Sequence, residues 1–289
     1  MDKLFEIRSL DCSYEKDSPD ARVVLRIASL DIPRGRQVFI VGESGIGKST
    51  ILEVLGMMNN TVAPREGTVF NFYEEDGTKV KVMDLWDSDS DLALSEFRLR
   101  HFNFIFQNTN LMSNFTAYEN IAITRMLQGY SREESFTKAR EVLRDLGLDS
   151  LGEERMTTEL SGGQRQRLAF ARAILPDFTV LFGDEPTGNL DSGNAMNAMK
   201  VLSDKLSRMK GSSAVIVTHD MHLASTFGDI VIKLRRVPTG KNDADGQPLT
   251  MGMLDSASIF TPSPDRKEWS NATVTIPSQE FEQYLKSKE

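Results

Sequence analysis

The sequence predicts an α/β protein organised on a largely parallel sheet, and three features carry that prediction. Short apolar runs recur in RQVFIV (36–41), TVLFGDEP (179–186) and SAVIVTHD (213–220), as expected of strands buried on both faces. Each run leads into a chemically loaded loop, with glycines after 41, two carboxylates after 183 and a histidine after 218. Segments of helical spacing lie between them, and this alternation builds parallel sheets. Ligands on such sheets bind beyond the carboxyl ends of the strands, so the three loops can converge on one ligand.

The remaining elements follow in chain order. KLFEIRSL (3–10) and ARVVLRIASLDI (21–32) alternate apolar and polar residues and read as strands. STILEVLGMM (49–58) has helical spacing. GTVFNFYEEDGTKVKVMDL (67–85) reads as a hairpin turning at Asp76–Gly77, followed by a solvated acidic linker, DSDSD (87–91). FNFIFQ (102–107) is a further strand. From about 116 to 175 the pattern is helical, with Pro176 as its terminator, and DIVIKL (229–234) is a last strand. Beyond 237 the prolines at 238, 248, 262, 264 and 277 punctuate a polar tail of little periodicity, expected to carry a few short strands or to be partly disordered.

Composition narrows the function. The 289 residues include 34 basic and 42 acidic side chains, a net charge of −8. Such a chain is not a general polyanion binder, so any phosphate chemistry must be local and no nucleic-acid partner is expected. A single cysteine, Cys12, forms no internal disulfide and reads as a small core residue in a reducing compartment. The N-terminus has no apolar signal core, and no run of eighteen apolar residues occurs. The expectation is a soluble, cytoplasmic chain that reaches a membrane only through another subunit.

The loop VGESGIGKST (41–50) contains G-x-x-x-x-G-K-S. Gly42, Gly45 and Gly47 let the backbone wrap with its N–H groups inward, and Glu43, Ser44, Ile46 and Thr50 complete the cradle. Lys48 is placed to reach the β- and γ-phosphates and Ser49 to offer a hydroxyl to Mg²⁺, with the following helix adding its positive end. Asp184, at the end of a buried strand, suits a magnesium-anchoring role. Glu185 is placed to polarise an attacking water. The N-K-x-D element usual for GTP is absent from the sequence.

LSGGQ (160–164) resembles an anion-binding helix start but lacks a lysine. Together with the loop and the carboxylates it resembles the signature motif of the ABC-type ATPases. That resemblance implies a RecA-like P-loop NTPase core with a mainly parallel sheet, an N-terminal antiparallel β subdomain and a helical signature subdomain. By the same resemblance Gln107 is the Q-loop glutamine, contributing to catalysis and to the metal. Asp191 in NLDS lies in the D-loop, His219 is the switch histidine, and Tyr14 stacks on adenine. Glu185 is the catalytic carboxylate, and the metal set is Ser49, Gln107 and Asp184. Two copies are then expected to pair head to tail around two ATP molecules. Each lends Ser161, Gly162, Gly163 and Gln164 to the nucleotide held by the other, which accounts for the missing lysine. Arg165 and Arg167 read as solvent-facing or interfacial residues.

The resemblance covers about residues 1–236, with a helical subdomain near 108–176, and leaves 237–289 as an extension of unassigned role. Two mild departures are Gly183 before Asp184 and Arg34-Gly35-Arg36 before the first buried strand. HFNFIFQNTNLMSNFTAYENI with DEPTGNLD is most similar to the ATPases of bacterial lipoprotein-release, macrolide-efflux and FtsE-like complexes. This implies a permease-type membrane partner and a peripheral place on the cytoplasmic face of the inner membrane. Leu111, Met112, Phe115 and Tyr118 are candidate anchors for that partner, or core residues. Three functions stay open: driving transport or extraction, transmitting force or signal without transport, and acting as a soluble ABC ATPase.

Overall fold

A computed structural model describes residues 2–15, 21–87, 91–242 and 246–287. The chain divides into two compact units, Met1–Ser95 with Val217–Glu289, and Glu96–Ile216.

The first unit opens with β1 (Lys3–Cys12), β2 (Leu25–Pro33), β3 (Gln37–Val41), helix α1 (Lys48–Leu55), β4 (Val62–Tyr73), β5 (Lys79–Lys81) and α2 (Val82–Asp87). β1 runs antiparallel between β2 and β4. Its inward side chains Leu4, Phe5, Ile7, Leu10 and Cys12 are fully buried, and Phe5 sets its ring edge-on to Phe72 at 5.3 Å. Burial in this apolar setting pushes the Cys12 thiol up to about 12, as befits a core residue rather than a nucleophile. Gly35 turns between β2 and β3 at φ 72, which explains the glycine in Arg34-Gly35-Arg36.

The expected Asp76–Gly77 turn is present: the Glu74 N–H donates to Thr78 O at 2.8 Å, and Gly77 has φ 85. The strand expected to run to residue 85 instead ends at Lys81 and continues as α2. Helical spacing puts Val82 and Trp86 on one side. Val82 is buried, and Trp86 meets the Phe70 ring at 5.6 Å. Residues 88–90 of the acidic linker lie outside the described residues, between α2 and α3 (Asp91–His101).

The second unit contains β6 (Phe102–Ile105), α4 (Ala117–Leu127), α5 (Arg132–Asp145), α6 (Gly162–Ile174), β7 (Val180–Asp184), α7 (Ser192–Arg208) and β8 (Ser213–Val217). β6 and β7 pair in parallel, with the rings of Phe102 and Phe104 at 5.2 and 5.4 Å from Phe182. The long helical stretch is three helices, each started by a reciprocal capping box: Thr116 with Glu119, Ser131 with Glu134, Ser161 with Gln164.

The chain closes in the first unit with α8 (Met221–Phe227), β9 (Ile230–Lys233), β10 (Arg235–Asn242), β11 (Pro248–Leu254), β12 (Ile259–Pro262), β13 (Glu268–Ser270), β14 (Thr275–Pro277) and α9 (Ser278–Lys286). β3 and β9 are parallel. The described residues after 237 are thus built into the fold. β11 lies parallel to β2, β12 lies antiparallel to β9, and β10 to β14 extend both sheets of this unit. An aromatic cluster anchors the end of the chain: Trp269 stacks on Phe281 at 4.4 Å, and Phe260 sits 5.4 Å from Phe281. Glu282 accepts hydrogen bonds from His222 and Ser225 of α8 at 2.9 and 3.0 Å.

Candidate functional site

In the first unit, β3 is buried from Val38 to Val41 and delivers the chain into the glycine loop. Gly42, Gly45 and Gly47 have φ of 154°, 71° and 100°, a region side chains rarely adopt. Their spacing folds the loop back to the start of α1, which Gly47 caps. Ile46 is buried and pins the loop to the core, while Glu43, Ser44, Gly45 and Ser49 are exposed. Lys48 is buried, and its ammonium donates to the carbonyls of Gly42 at 2.9 Å and Glu43 at 2.8 Å. A cation is therefore curled into a ring of backbone, at the start of a helix, where an anion is favoured.

The Tyr14 and Thr50 hydroxyls lie 2.9 Å apart. Tyr14 is 54% exposed beside α1, so its ring offers a flat apolar face held at one end. His219 is exposed at the junction of β8 and α8. Both flanks of that junction are fixed: the Thr218 N–H donates to Ile40 O of β3, and Asp220 caps α8 by accepting from the N–H groups of His222 and Leu223.

In the second unit, Gln107 is exposed just after β6. The loop beyond it is pinned from two sides. Arg172 donates from α6 to the carbonyls of Thr109 and Asn110, each at 2.8 Å. Fully buried Asn120 donates to Met112 O and accepts from its N–H. Of the four apolar candidates there, Tyr118 is buried against Phe136 at 5.6 Å and is a core residue. Leu111, Met112 and Phe115 are half-buried.

Asp184 ends β7, and Glu185 follows at φ 48°, a left-handed backbone unusual for a residue with a side chain. Gly183 has a local reason: a Cβ there would come within 3.2 Å of the Pro186 ring. The fully buried Gln166 of α6 holds this turn, donating to Pro186 O at 2.9 Å. Neither Gln166 nor Arg172 stood out in the sequence, where each is one more polar residue in a helical pattern.

Ser161 caps α6, with its hydroxyl accepting from the Gln164 N–H at 3.3 Å and its own N–H donating to Gln164 Oε1 at 2.9 Å. A Cβ at Gly162 or Gly163 would meet nothing within 4 Å, and neither has positive φ. Among the described residues nothing requires glycine at either position. Arg167 donates to Leu146 O, Gly147 O and Asn194 Oδ1, a holding role within the unit. Asp191 caps α7 by accepting from the Asn194 N–H, and this bond with its Asn194 side-chain partner holds its carboxyl below the usual range.

Among the described residues no group of three or more His, Cys, Asp or Glu could hold a metal by itself. The donors available, a serine hydroxyl, a glutamine amide and one aspartate, are all oxygens. Each is the kind of donor that a hard cation takes.

A glycine loop of this conformation, opening a helix whose first residue is lysine, defines a P-loop nucleotide-binding protein. The family model described as ABC transporter matches residues 25–188, and the chain belongs to that family. The match spans Gly42–Thr50, Gln107, Ser161–Gln164, Asp184 and Glu185, while Tyr14, Asp191 and His219 lie outside it. The chain is 37% identical over 210 residues to the lipoprotein-releasing system ATP-binding protein LolD of Chromohalobacter salexigens, covering 73% of this chain and 82% of LolD. It is 35% identical over 228 residues to the macrolide export ATP-binding/permease protein MacB of Mannheimia succiniciproducens, covering 79% of this chain. It spans only 33% of MacB. Among solved structures it is similar to the ATP-binding cassette MJ0796, a dimer bound to ADP and Pi in a post-hydrolysis state. The TM-score is 0.67 and the identity 29%, covering 79% of this chain and 93% of that one.

Proposed function

We propose that the chain is the ATP-hydrolysing subunit of a bacterial ABC complex, pairing with a second copy around ATP and driving a permease-type membrane partner. The observation that carries this reading is the loop Gly42–Ser49, with three glycines at positive φ and Lys48 folded into it. Similarity to LolD and MacB supports a lipoprotein-release or macrolide-efflux setting, and so a place on the cytoplasmic face of the inner membrane. Among the described residues no helix is long and apolar enough to cross a membrane, so the reading assigns the crossing to the partner.

In this reading Lys48 exchanges the Gly42 and Glu43 carbonyls for phosphate oxygens, and the loop N–H groups bind the rest of the triphosphate. Ser49, Gln107 and Asp184 hold Mg²⁺, which supplies neutralising charge at the β- and γ-phosphates. Glu185 orients and polarises the attacking water, aided by Gln107 and His219, and Tyr14 stacks on adenine. Ser161 to Gln164 and Asp191 serve the nucleotide of the second copy. The open space over Gly162 and Gly163 supports this, because it leaves room for another molecule's phosphate or backbone to approach.

Steady-state hydrolysis of Mg-ATP tests the assignment. Lys48→Ala is expected to lose activity by about tenfold or more at limiting ATP, and unchanged hydrolysis would refute it. Affinity purification from membranes is expected to retain a permease-type protein, and recovery of ribosomes or DNA in its place contradicts the reading.

A further inference from the structure

The C-terminal extension presses directly on the back of the phosphate loop. In β11, Gly252 approaches the loop so closely that a Cβ there would fall 2.1 Å from Ile46 O. Its N–H donates to Val24 O at 2.9 Å, and it stands in parallel register with Leu25. A Cβ on Gly47 would in turn lie 3.3 Å from the Leu25 side chain. The loop therefore rests on β2 and β11 with no room between backbone and backbone.

Arg236, opposite Gly252 on β10, completes the contact. Its Nε donates to Glu43 Oε2 at 3.0 Å, Nη2 to Ser44 O at 3.1 Å, and Nη1 to the Thr250 hydroxyl at 3.1 Å. An exposed ion pair alone stabilises little. The planar guanidinium, however, is here shared between two loop residues and the extension, and its fork loses little freedom per bond formed. In a trans peptide the C=O and N–H point to opposite sides. Holding Ser44 O toward Arg236 therefore turns the Gly45 N–H away from it. A loop that grips phosphate by backbone N–H groups depends on such orientation.

We infer that Arg236 is a positioning residue for the phosphate loop, and that through it and β11 the C-terminal extension sets nucleotide affinity. The inference rests on reading residues 42–50 as the ATP loop. The test uses the full chain, with ATP affinity from a fluorescent ATP analogue, steady-state kinetics, and a thermal melt of each variant. Arg236→Ala is expected to raise Kd and KM for ATP about tenfold with kcat within about twofold. Arg236→Lys, with one ammonium in place of a three-way fork, is expected to recover only part of that loss. Thr250→Val removes the anchor on the extension without touching the loop and is expected to raise Kd about two- to threefold; it carries the comparison if Arg236→Ala does not fold. A role confined to stability would move the melt and leave Kd alone. Unaltered affinity in folded Arg236→Ala, or in Thr250→Val where that variant stands in for it, overturns the inference while the nucleotide reading stands. Failure of the unaltered chain to bind ATP overturns both.

Discussion

The side-chain amide of Gln166 donates a 2.9 Å hydrogen bond to the carbonyl of Pro186. It ties α6, the helix that begins with the signature glycines, to the turn that carries Glu185. Gln166 is fully buried, so solvent does not compete for this bond. Gln166→Ala leaves the Pro186 carbonyl without that donor and frees the turn that holds Glu185 at φ 48°. We expect kcat for ATP to fall about tenfold with Kd for ATP unchanged. A rise in Kd with unchanged kcat would place Gln166 in binding rather than in aligning Glu185.

The glycines of LSGGQ allow an unusual separation of stability from function. Since a Cβ at Gly162 or Gly163 meets nothing within 4 Å among the described residues, alanine there favours the helix by up to about 1 kcal/mol. Gly163→Ala is expected to keep or raise the melting temperature of the nucleotide-free protein. Hydrolysis and ATP-dependent association should nevertheless fall about tenfold or more, because in the proposed pair the other copy occupies that space. A variant that melts normally and hydrolyses normally would show that the space is merely unfilled surface.

Lys205 gives a pH signature within the second unit. Its ammonium donates to Leu175 O and Pro176 O at 3.1 and 2.8 Å and lies over the Phe178 ring. Burial pushes its pKa down from 10.5 to about 8. Between those values the unfolded chain keeps a proton that the folded chain has released, so stability rises with pH across that window. Below about 8 both states are charged and the full cost of burial is present. The melting temperature relative to Lys205→Met should therefore climb from pH 8 toward 10.5, and parallel pH profiles for the two proteins would contradict the assignment.

Where function depends on backbone shape or local caps, the sequence was readable. Gly-x-x-x-x-Gly-Lys-Ser announces its own conformation because side chains rarely adopt those φ values, and LSGGQ reads as the start of a helix. The Asp76–Gly77 turn is legible for the same reason. Elements whose stability comes from distant residues were not. Residues 82–85, VMDL, read as the end of a hairpin strand, but belong to α2, where Val82 is buried and Trp86 meets Phe70. The extension looked irregular because β11 finds its register on β2, more than two hundred residues earlier in the chain, and β12 on β9. Its core of Trp269, Phe260 and Phe281 assembles from three separate elements. Arg236 and Gln166 were invisible for a simpler reason: their importance lies in which carbonyls they reach.

In the proposed mechanism this chain closes on ATP as a pair, and Glu185 then drives hydrolysis. Glu185→Gln keeps the shape of the side chain and removes its charge, which makes light scattering with and without Mg-ATP the most direct measurement. The expected result is a monomer without nucleotide, a dimer of twice the mass with Mg-ATP, and no steady-state turnover. A variant that stays monomeric at saturating ATP, or that hydrolyses ATP at the unaltered rate, would contradict it.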